Sequence, residues 1–249
     1  MHKSFCIDLA SKKVEISANT DNVFEHLMQS YSNFIVRDSR KTNINLQIKG
    51  IKTRKNYKPI SDISSRSGKI IIPNNANLSF SEIHFNIKIV LTQLLIQDDF
   101  MLLHASAFIK NNNMYIMSAP SGTGKSTTCR FAKEKGLNVV CDDSVLLRVE
   151  NRKLIGYTTP YIETHKKVSS PQSYQVAGIY FLHQSKTDKL QKQNTVESVR
   201  SILFNSYIFQ NDYKEKYISK YFSLAHVIAS RTKTYDLFFT KSSKFLGII

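Results

Sequence analysis

The chain has 249 residues, of which 41 % are hydrophobic and 22 % charged. This composition supports one large domain or two small ones and excludes a disordered or collagen-like chain. The chain has 35 Lys and Arg residues and 19 Asp and Glu residues, so its formal net charge at pH 7 is +16. Such an excess of positive charge attracts polyanions, but it does not distinguish nucleotides, nucleic acids and acidic peptides as partners.

The part of the chain before residue 100 combines short alternating strands with two amphipathic helices. The predicted elements are strands 5–9 and 13–17, helix 21–31, strands 43–48 and 69–73, and helix 82–98. Asp21 and Ser81 are the expected helix caps, because short polar side chains accept hydrogen bonds from the first helical N–H groups. The basic, serine-rich stretch 51–68 is expected to be a loop. Together these elements predict a small α+β domain.

A series of apolar strands begins near residue 100, where the composition of the chain changes. The predicted elements are strands 102–109, 114–118, 139–141, 144–149, 154–159, 176–182 and 235–240, and helices 125–135, 195–209 and 217–230. The polar, lysine-rich stretch 183–194 is expected to be a loop. We therefore predict two domains, 1–98 and 99–249, of which the second mixes strands and helices as α/β proteins do.

Cysteine content and hydropathy indicate the cellular compartment in which the protein is expected. Cys6, Cys129 and Cys141 are odd in number and lack metal-binding spacing, so neither a disulfide framework nor a structural zinc site is expected. The N-terminus has no signal-peptide core, and the apolar stretch 83–96 is too short and too polar to span a bilayer. We expect a soluble, cytoplasmic protein without a membrane partner.

The strongest functional motif is the segment 118–127, Ser-Ala-Pro-Ser-Gly-Thr-Gly-Lys-Ser-Thr, between a predicted strand and a predicted helix. It fits the phosphate-loop pattern GxxxxGK[ST] except that Ala119 replaces the first glycine. Glycines let backbone N–H groups face phosphates, Lys125 can reach the β- and γ-phosphates, and the Ser126 hydroxyl can ligate Mg²⁺. The predicted ATP-binding residues are Ser121, Gly122, Thr123, Gly124, Lys125, Ser126 and Thr127.

Two adjacent acidic residues, Asp142 and Asp143, follow the predicted strand 139–141. If that strand runs parallel and next to the loop strand, its end lies beside the phosphates. Carboxylates there can hold Mg²⁺ or accept a proton from an attacking hydroxyl, whereas solvated acids at a strand end are the structural alternative. His104 lies on the preceding strand, where a lone histidine is more often structural than catalytic.

In combination these segments resemble the HPr kinase/phosphorylase family and its shorter relatives. The matching segments are 103–107, 119–126, 140–145, 157–161 with Glu163, and 176–182, within 101–185. The loop is also similar to that of ATP-dependent phosphoenolpyruvate carboxykinase. The resemblance implies an α/β P-loop kinase core of the HPr kinase/phosphoenolpyruvate carboxykinase type behind a small N-terminal α+β domain.

The resemblance also implies residue roles in phosphorylation of a serine hydroxyl by ATP with Mg²⁺. The implied catalytic residues are Asp142 as base, its neighbour Asp143, His104 near the phosphates, and Lys125. The implied metal ligands are Ser126, Asp143 and Glu163. The segment Glu-Ile-Arg-Gly-Leu-Gly of HPr kinase is missing, and Arg200 is only a candidate for its later arginine. A serine-containing peptide or small protein is therefore the expected acceptor in preference to HPr.

Several alternatives stay open at this stage. The same residues would serve a non-catalytic or regulatory ATP-binding module, an ATPase, or a kinase of a small molecule such as free serine. A carboxykinase is disfavoured because the chain is about half as long and lacks the expected ligands. No helix-turn-helix or RNA-binding motif is found, so we do not expect a nucleic-acid partner. The family's ring assemblies leave homo-oligomerisation open, and acceptor binding by residues 1–95 is equally open.

Overall fold

The computed structural model describes residues 3–37, 42–51, 60–64, 66–73, 79–161, 170–207 and 215–249. The chain is a mixed α/β protein that divides into two compact units, Met1–Asp98 and Asp99–Ile249. Within the described ranges, no helix is long and apolar enough to cross a membrane. All three cysteines are buried.

In its described residues, the first unit contains a five-stranded sheet in the order β1-β2-β3-β5-β4 and two α-helices. Its elements are β1 (Lys3–Leu9), β2 (Lys12–Ala18), α1 (Asp21–Ser30), β3 (Ile44–Ile51), β4 (Ile60–Ile63), β5 (Ser67–Pro73) and α2 (Phe80–Leu95), followed by a 3₁₀ turn over Ile96–Asp98. The predicted strands 5–9 and 13–17 are confirmed, and β1 and β2 form an antiparallel hairpin with Ala10 and Ser11 at positive φ in its turn. Strand β3 pairs parallel with β2 and β5.

Three local features of the first unit differ from the sequence-based expectation. Asp21 is not the cap of α1 but its first helical residue, and the N-cap position is held by Thr20, which makes no side-chain capping hydrogen bond. Helix α2 is capped by Ser79 and not Ser81, because Ser79 forms a reciprocal capping box with Glu82. The predicted loop 51–68 contains β4, which pairs antiparallel with β5 at the edge of the sheet. The helix packs tightly on the sheet at Gly68, where an added Cβ would lie 2.2 Å from Cγ1 of Val90.

The part of the second unit that the structure describes contains an eight-stranded sheet and three α-helices, and the main strand order of the sheet is β10-β9-β6-β7-β11-β13-β12. Its elements are β6 (Met101–Lys110), β7 (Asn113–Ser118), α3 (Lys125–Glu134), β8 (Asn138–Cys141), β9 (Ser144–Glu150), β10 (Lys153–Tyr157), β11 (Ser173–Gln184), β12 (Lys189–Lys192), α4 (Thr195–Phe204), α5 (Glu215–Arg231) and β13 (Thr234–Phe239), followed by a 3₁₀ turn over Ser243–Gly247. The predicted loop 183–194 thus contains a strand, β12, which pairs antiparallel with β13.

Three neighbouring strands of this sheet run parallel, because β11 pairs parallel with both β7 and β13. Phe181 is level with Ser118, the last residue of β7, so β11 continues beyond the end of β7. In open α/β sheets ligands bind at the carboxyl ends of such strands. The segment between β7 and α3 begins at this edge.

A row of stacked aromatic rings fixes these strands relative to each other. Phe108, Tyr115, Tyr180 and Tyr235 lie on β6, β7, β11 and β13, with successive ring centroids 5.6, 6.0 and 5.3 Å apart. They belong to a cluster that also contains Ala132 of α3. Helix α3 is therefore packed on the same face of the sheet, which holds its N-terminus beside the end of β7.

Candidate active site

The predicted strand–loop–helix order around the glycine-rich motif is confirmed, because β7 ends at Ser118 and α3 begins at Lys125. Gly122 and Gly124 have φ angles of +79° and +124°, a backbone region that residues with a Cβ rarely adopt. Gly124 is the N-cap residue of α3 and has no side chain to cap the first N–H groups. Uncapped N–H groups at a helix N-terminus are suited to binding an anion.

The side chain of Lys125 folds back onto the loop. It is only 8 % exposed, and its Nζ donates hydrogen bonds to the carbonyl oxygens of Ala119 at 2.9 Å and Pro120 at 3.3 Å. A buried ammonium is costly unless it is hydrogen-bonded, so these carbonyls stabilise the charge. The arrangement places a positive charge against the loop, which is where phosphate oxygens would need one.

The loop is attached to both strands that flank β7. On the β6 side, the Ser106 hydroxyl donates to the carbonyl of Lys125 at 3.3 Å, and the Ser118 hydroxyl donates to the carbonyl of His104 at 2.9 Å. On the β11 side, the Gln184 amide donates to the carbonyl of Thr123 at 3.1 Å. These bonds hold the loop in place from both sides.

The acidic pair does not follow a strand that lies next to β7, as the sequence analysis had proposed. Asp142 and Asp143 connect β8 to β9, and both strands pair antiparallel with β6. Strand β6 therefore lies between the acidic strand and β7, whereas the predicted arrangement placed the two side by side. The Ala105 N–H donates to the carbonyl of Asp143 at 2.9 Å, which aligns the acidic pair with the middle of β6.

A hydrogen-bonded network joins Asp143 to His104. Oδ2 of Asp143 accepts hydrogen bonds from the Ser144 hydroxyl at 2.5 Å and from the Tyr207 hydroxyl at 3.3 Å. The Tyr207 hydroxyl also lies 2.9 Å from the Ser144 Oγ and 3.5 Å from Nδ1 of His104. Burial, reinforced by the charge of Asp143, raises the pKa of the nearby Tyr161. Asp143 and His104, which the sequence suggested as separate site residues, thus belong to one cluster of polar side chains.

Burial distinguishes the members of the acidic pair. Asp143 is 1 % exposed, whereas Asp142 is half-buried and so accessible to a second reactant. The difference agrees with separate roles for the two carboxylates. Tyr207 and Ser144 are the residues that the sequence-based prediction missed. Tyr207 lies outside the segment 101–185, so no motif drew attention to it.

The predicted metal ligands are placed only in part. Ser126 is exposed in the first turn of α3, and Asp143 is buried in the network described above. A hydroxyl and a carboxylate are hard oxygen donors, which is the ligand chemistry that Mg²⁺ prefers. Glu163 lies outside the described residues. Of the remaining predicted binding residues, Ser121 is exposed and Thr127 is half-buried.

A cavity of about 1050 Å³ borders the loop on its β11 side. Loop residues Ser118 to Thr123 form one wall, the ends of β11 and β13 form another, and α4 closes it with Glu197, Arg200 and Phe204. His183 and Asp236 lie on the wall formed by β11 and β13, with His183 Nε2 2.7 Å from Asp236 Oδ1. The volume is sufficient for a nucleotide-sized ligand. Arg200, the candidate arginine, lines the cavity that the loop borders.

Comparison with known proteins adds little to the geometry. No protein-family model matches this chain, and no curated protein matches it. A solved structure, the Hpr(Ser) kinase/phosphatase from Coxiella burnetii, is weakly similar, with a TM-score of 0.34 and 14 % sequence identity over 59 % of this chain and 90 % of that chain. A likeness at this level carries no argument about activity, so functional inference rests on the site residues.

Proposed function

We propose that this protein is a kinase that transfers the γ-phosphoryl group of ATP to a serine hydroxyl of a peptide or small protein. The observation that carries the proposal is Lys125, buried at the start of α3 and bonded to the carbonyls of a loop with two glycines at positive φ. Loop amides, a helix N-terminus and a lysine are the parts from which phosphate-binding loops are built.

In this proposal the loop holds the triphosphate through its backbone N–H groups and the first N–H groups of α3. Lys125 exchanges its bonds to the Ala119 and Pro120 carbonyls for bonds to phosphate oxygens. Mg²⁺, when bound by the Ser126 hydroxyl and the Asp143 carboxylate, would neutralise charge on the transferring phosphoryl group. The donor types at these two positions support that assignment.

Asp142 is the proposed general base because it is the more accessible of the two carboxylates. Its carboxylate accepts the proton of the serine hydroxyl while the serine oxygen forms its bond to the γ-phosphorus. The bond from that phosphorus to the β,γ-bridging oxygen breaks, and ADP leaves. Asp143 is held by Ser144 and Tyr207, so it is positioned for a fixed electrostatic role.

Among peptide acceptors, charge favours one kind in this proposal. The chain carries a formal net charge of +16, which favours acidic peptides and proteins over basic ones as binding partners. Exposed Arg200 in the loop cavity would add a positive charge where a phosphoryl group or an acidic acceptor approaches. A serine within an acidic peptide segment is therefore the preferred substrate in this proposal.

The test is incubation of the purified full chain with Mg²⁺ and ATP, with and without serine-containing peptides of acidic and basic composition, HPr, and free serine. Mass spectrometry of each acceptor should show a gain of one phosphate on an acidic peptide or protein, absent with Lys125→Ala. Phosphorylation of free serine alone would identify a small-molecule kinase. ATP hydrolysis that no acceptor stimulates would indicate an ATPase, and tight ATP binding without turnover would indicate a regulatory module.

A further inference from the structure

Two histidines of the first unit face each other outside the site described above. His26 lies on α1 and His84 on α2, and their Nε2 atoms are 3.1 Å apart. At this separation the two nitrogens can share one proton, so at least one of them presents a lone pair to the other. The proposed kinase reaction uses neither histidine.

The surroundings of both rings fix their orientation. The Tyr31 hydroxyl lies 2.8 Å from Nδ1 of His84, on the opposite side of the ring from the shared contact. The Phe80 ring stacks on His26, with centroids 3.6 Å apart and planes inclined by 11°. Histidines that bind metals are held in the same manner, by a hydrogen bond to the nitrogen that does not face the ion.

We propose that His26 and His84 form a binding site for a divalent transition-metal ion, in the class of Zn²⁺, Cu²⁺ and Ni²⁺. Imidazole nitrogen is a favoured ligand for these ions, whereas Mg²⁺ and Ca²⁺ prefer oxygen. Two nitrogens bound to a tetrahedral ion at about 2.0–2.1 Å lie about 3.3 Å apart. The observed 3.1 Å therefore requires only a small separation of the rings to admit the ion.

The remaining ligands come from outside the pair. Among the described residues, no group of three or more His, Cys, Asp or Glu side chains could hold a metal ion. The Ser30 hydroxyl lies 3.4 Å from Nε2 of His26, and His26 lines a cavity of about 590 Å³. Water or an external ligand in that cavity would complete the coordination shell.

The experiment is calorimetric titration of the tag-free full chain with ZnCl₂ and NiCl₂ in the presence of Mg²⁺. His26→Gln and His84→Gln should each weaken binding at least about tenfold, since each removes one ligand. His226→Gln is the matched control, because His226 is an exposed histidine on α5, and it should bind as the wild type does. Circular dichroism of the metal-free variants confirms that they are folded.

Two further measurements separate a metal site from a pair that only forms a hydrogen bond. Tyr31→Phe keeps both histidines, and loss of the outer hydrogen bond should weaken Zn²⁺ binding about tenfold. Electron paramagnetic resonance of the wild-type Cu²⁺ complex should show coupling to two imidazole nitrogens. Wild-type protein that binds none of the three ions, or Zn²⁺ affinity unchanged in both histidine variants, would overturn the proposal. Because the readout is metal affinity, its failure leaves the kinase proposal unaffected.

Discussion

The hydroxyl of Tyr207 donates a hydrogen bond to Oδ2 of Asp143 at 3.3 Å, and both side chains are buried in the second unit. The same hydroxyl lies 3.5 Å from Nδ1 of His104, whose ring stacks on the tyrosine ring at 5.8 Å. Tyr207 therefore bridges two residues that the sequence suggested separately. A buried carboxylate with oriented donors is suited to a fixed position in catalysis.

The first prediction concerns this bridge. Tyr207→Phe keeps the ring and its stacking on His104 but removes a hydrogen bond to a charged group, a loss of about 1.5–3 kcal/mol. If that bond positions Asp143 in the transition state, kcat falls at least about tenfold while ATP affinity changes little. Steady-state kinetics and ATP titration measure the two effects. Tyr157→Phe, which removes a hydroxyl bonded to Glu150, is the control and should retain kcat.

The second prediction separates phosphate binding from proton transfer. Lys125→Ala removes the ammonium beside the loop, so both ATP affinity and phosphoryl transfer should be lost. Asp142→Asn keeps the size of the side chain but cannot accept the proton, so transfer should be lost with ATP affinity nearly intact. Lys133→Ala, at the exposed end of α3, should leave both unchanged. Retained turnover in Asp142→Asn would remove its role as base.

The parts of the site that could be predicted from sequence are local in the chain. The strand, loop and helix around Lys125 are consecutive, so apolar pattern and glycine spacing were sufficient to predict them. Tyr207 approaches Asp143 only because the β6–β9 pairing and the end of α4 bring distant segments together. The order of β6, β7 and β8 is likewise a long-range property, which is why the predicted neighbour of β7 was wrong.

Errors in the predicted elements have a similar origin. Strands β4 and β12 lie at sheet edges within polar stretches, where little apolar alternation marks a strand. For helix α2, the prediction took Ser81 as the cap. The cap is Ser79, because Glu82 lies three residues after it and completes the capping box.

The third prediction compares two glycines of the loop. Gly124→Ala places a Cβ 2.7 Å from Cζ of Phe239, a ring packed in the core, at a φ of +124°. The Cβ added by Gly122→Ala would contact no atom of the described residues. This substitution therefore costs only the backbone strain of an alanine at φ +79°, about 1–2 kcal/mol. We expect Gly124→Ala to lower the melting temperature and ATP affinity more than Gly122→Ala does. Equal effects in thermal denaturation and ATP titration would contradict this account of the loop.

The fourth prediction concerns the acid stability of the first unit. Two guanidinium nitrogens of Arg66 donate hydrogen bonds to the carboxylate oxygens of Asp98 at 2.6 and 3.0 Å. The Nζ atom of Lys12 lies 3.2 Å from Oδ2 of the same carboxylate. Partial burial alone would raise the pKa of Asp98, but the bonds and charges of Arg66 and Lys12 outweigh it, so the pKa is lowered. A lowered folded-state pKa contributes stability above the ordinary carboxyl pKa and loses it as the pH falls through the folded-state value.

Asp98→Asn should therefore cost about 1 kcal/mol of unfolding free energy at pH 7. That deficit should shrink as the pH falls below about 4, because the carboxyl group of the unfolded wild-type chain is protonated there first and that of the folded chain only at lower pH. Urea denaturation at a series of pH values measures it. Asp99→Asn is the matched control, because Asp99 pairs with Lys220 but is 59 % exposed, and asparagine tolerates its positive φ. A deficit for Asp98→Asn that stays constant down to pH 3 would show that the carboxylate's charge is not what stabilises this contact.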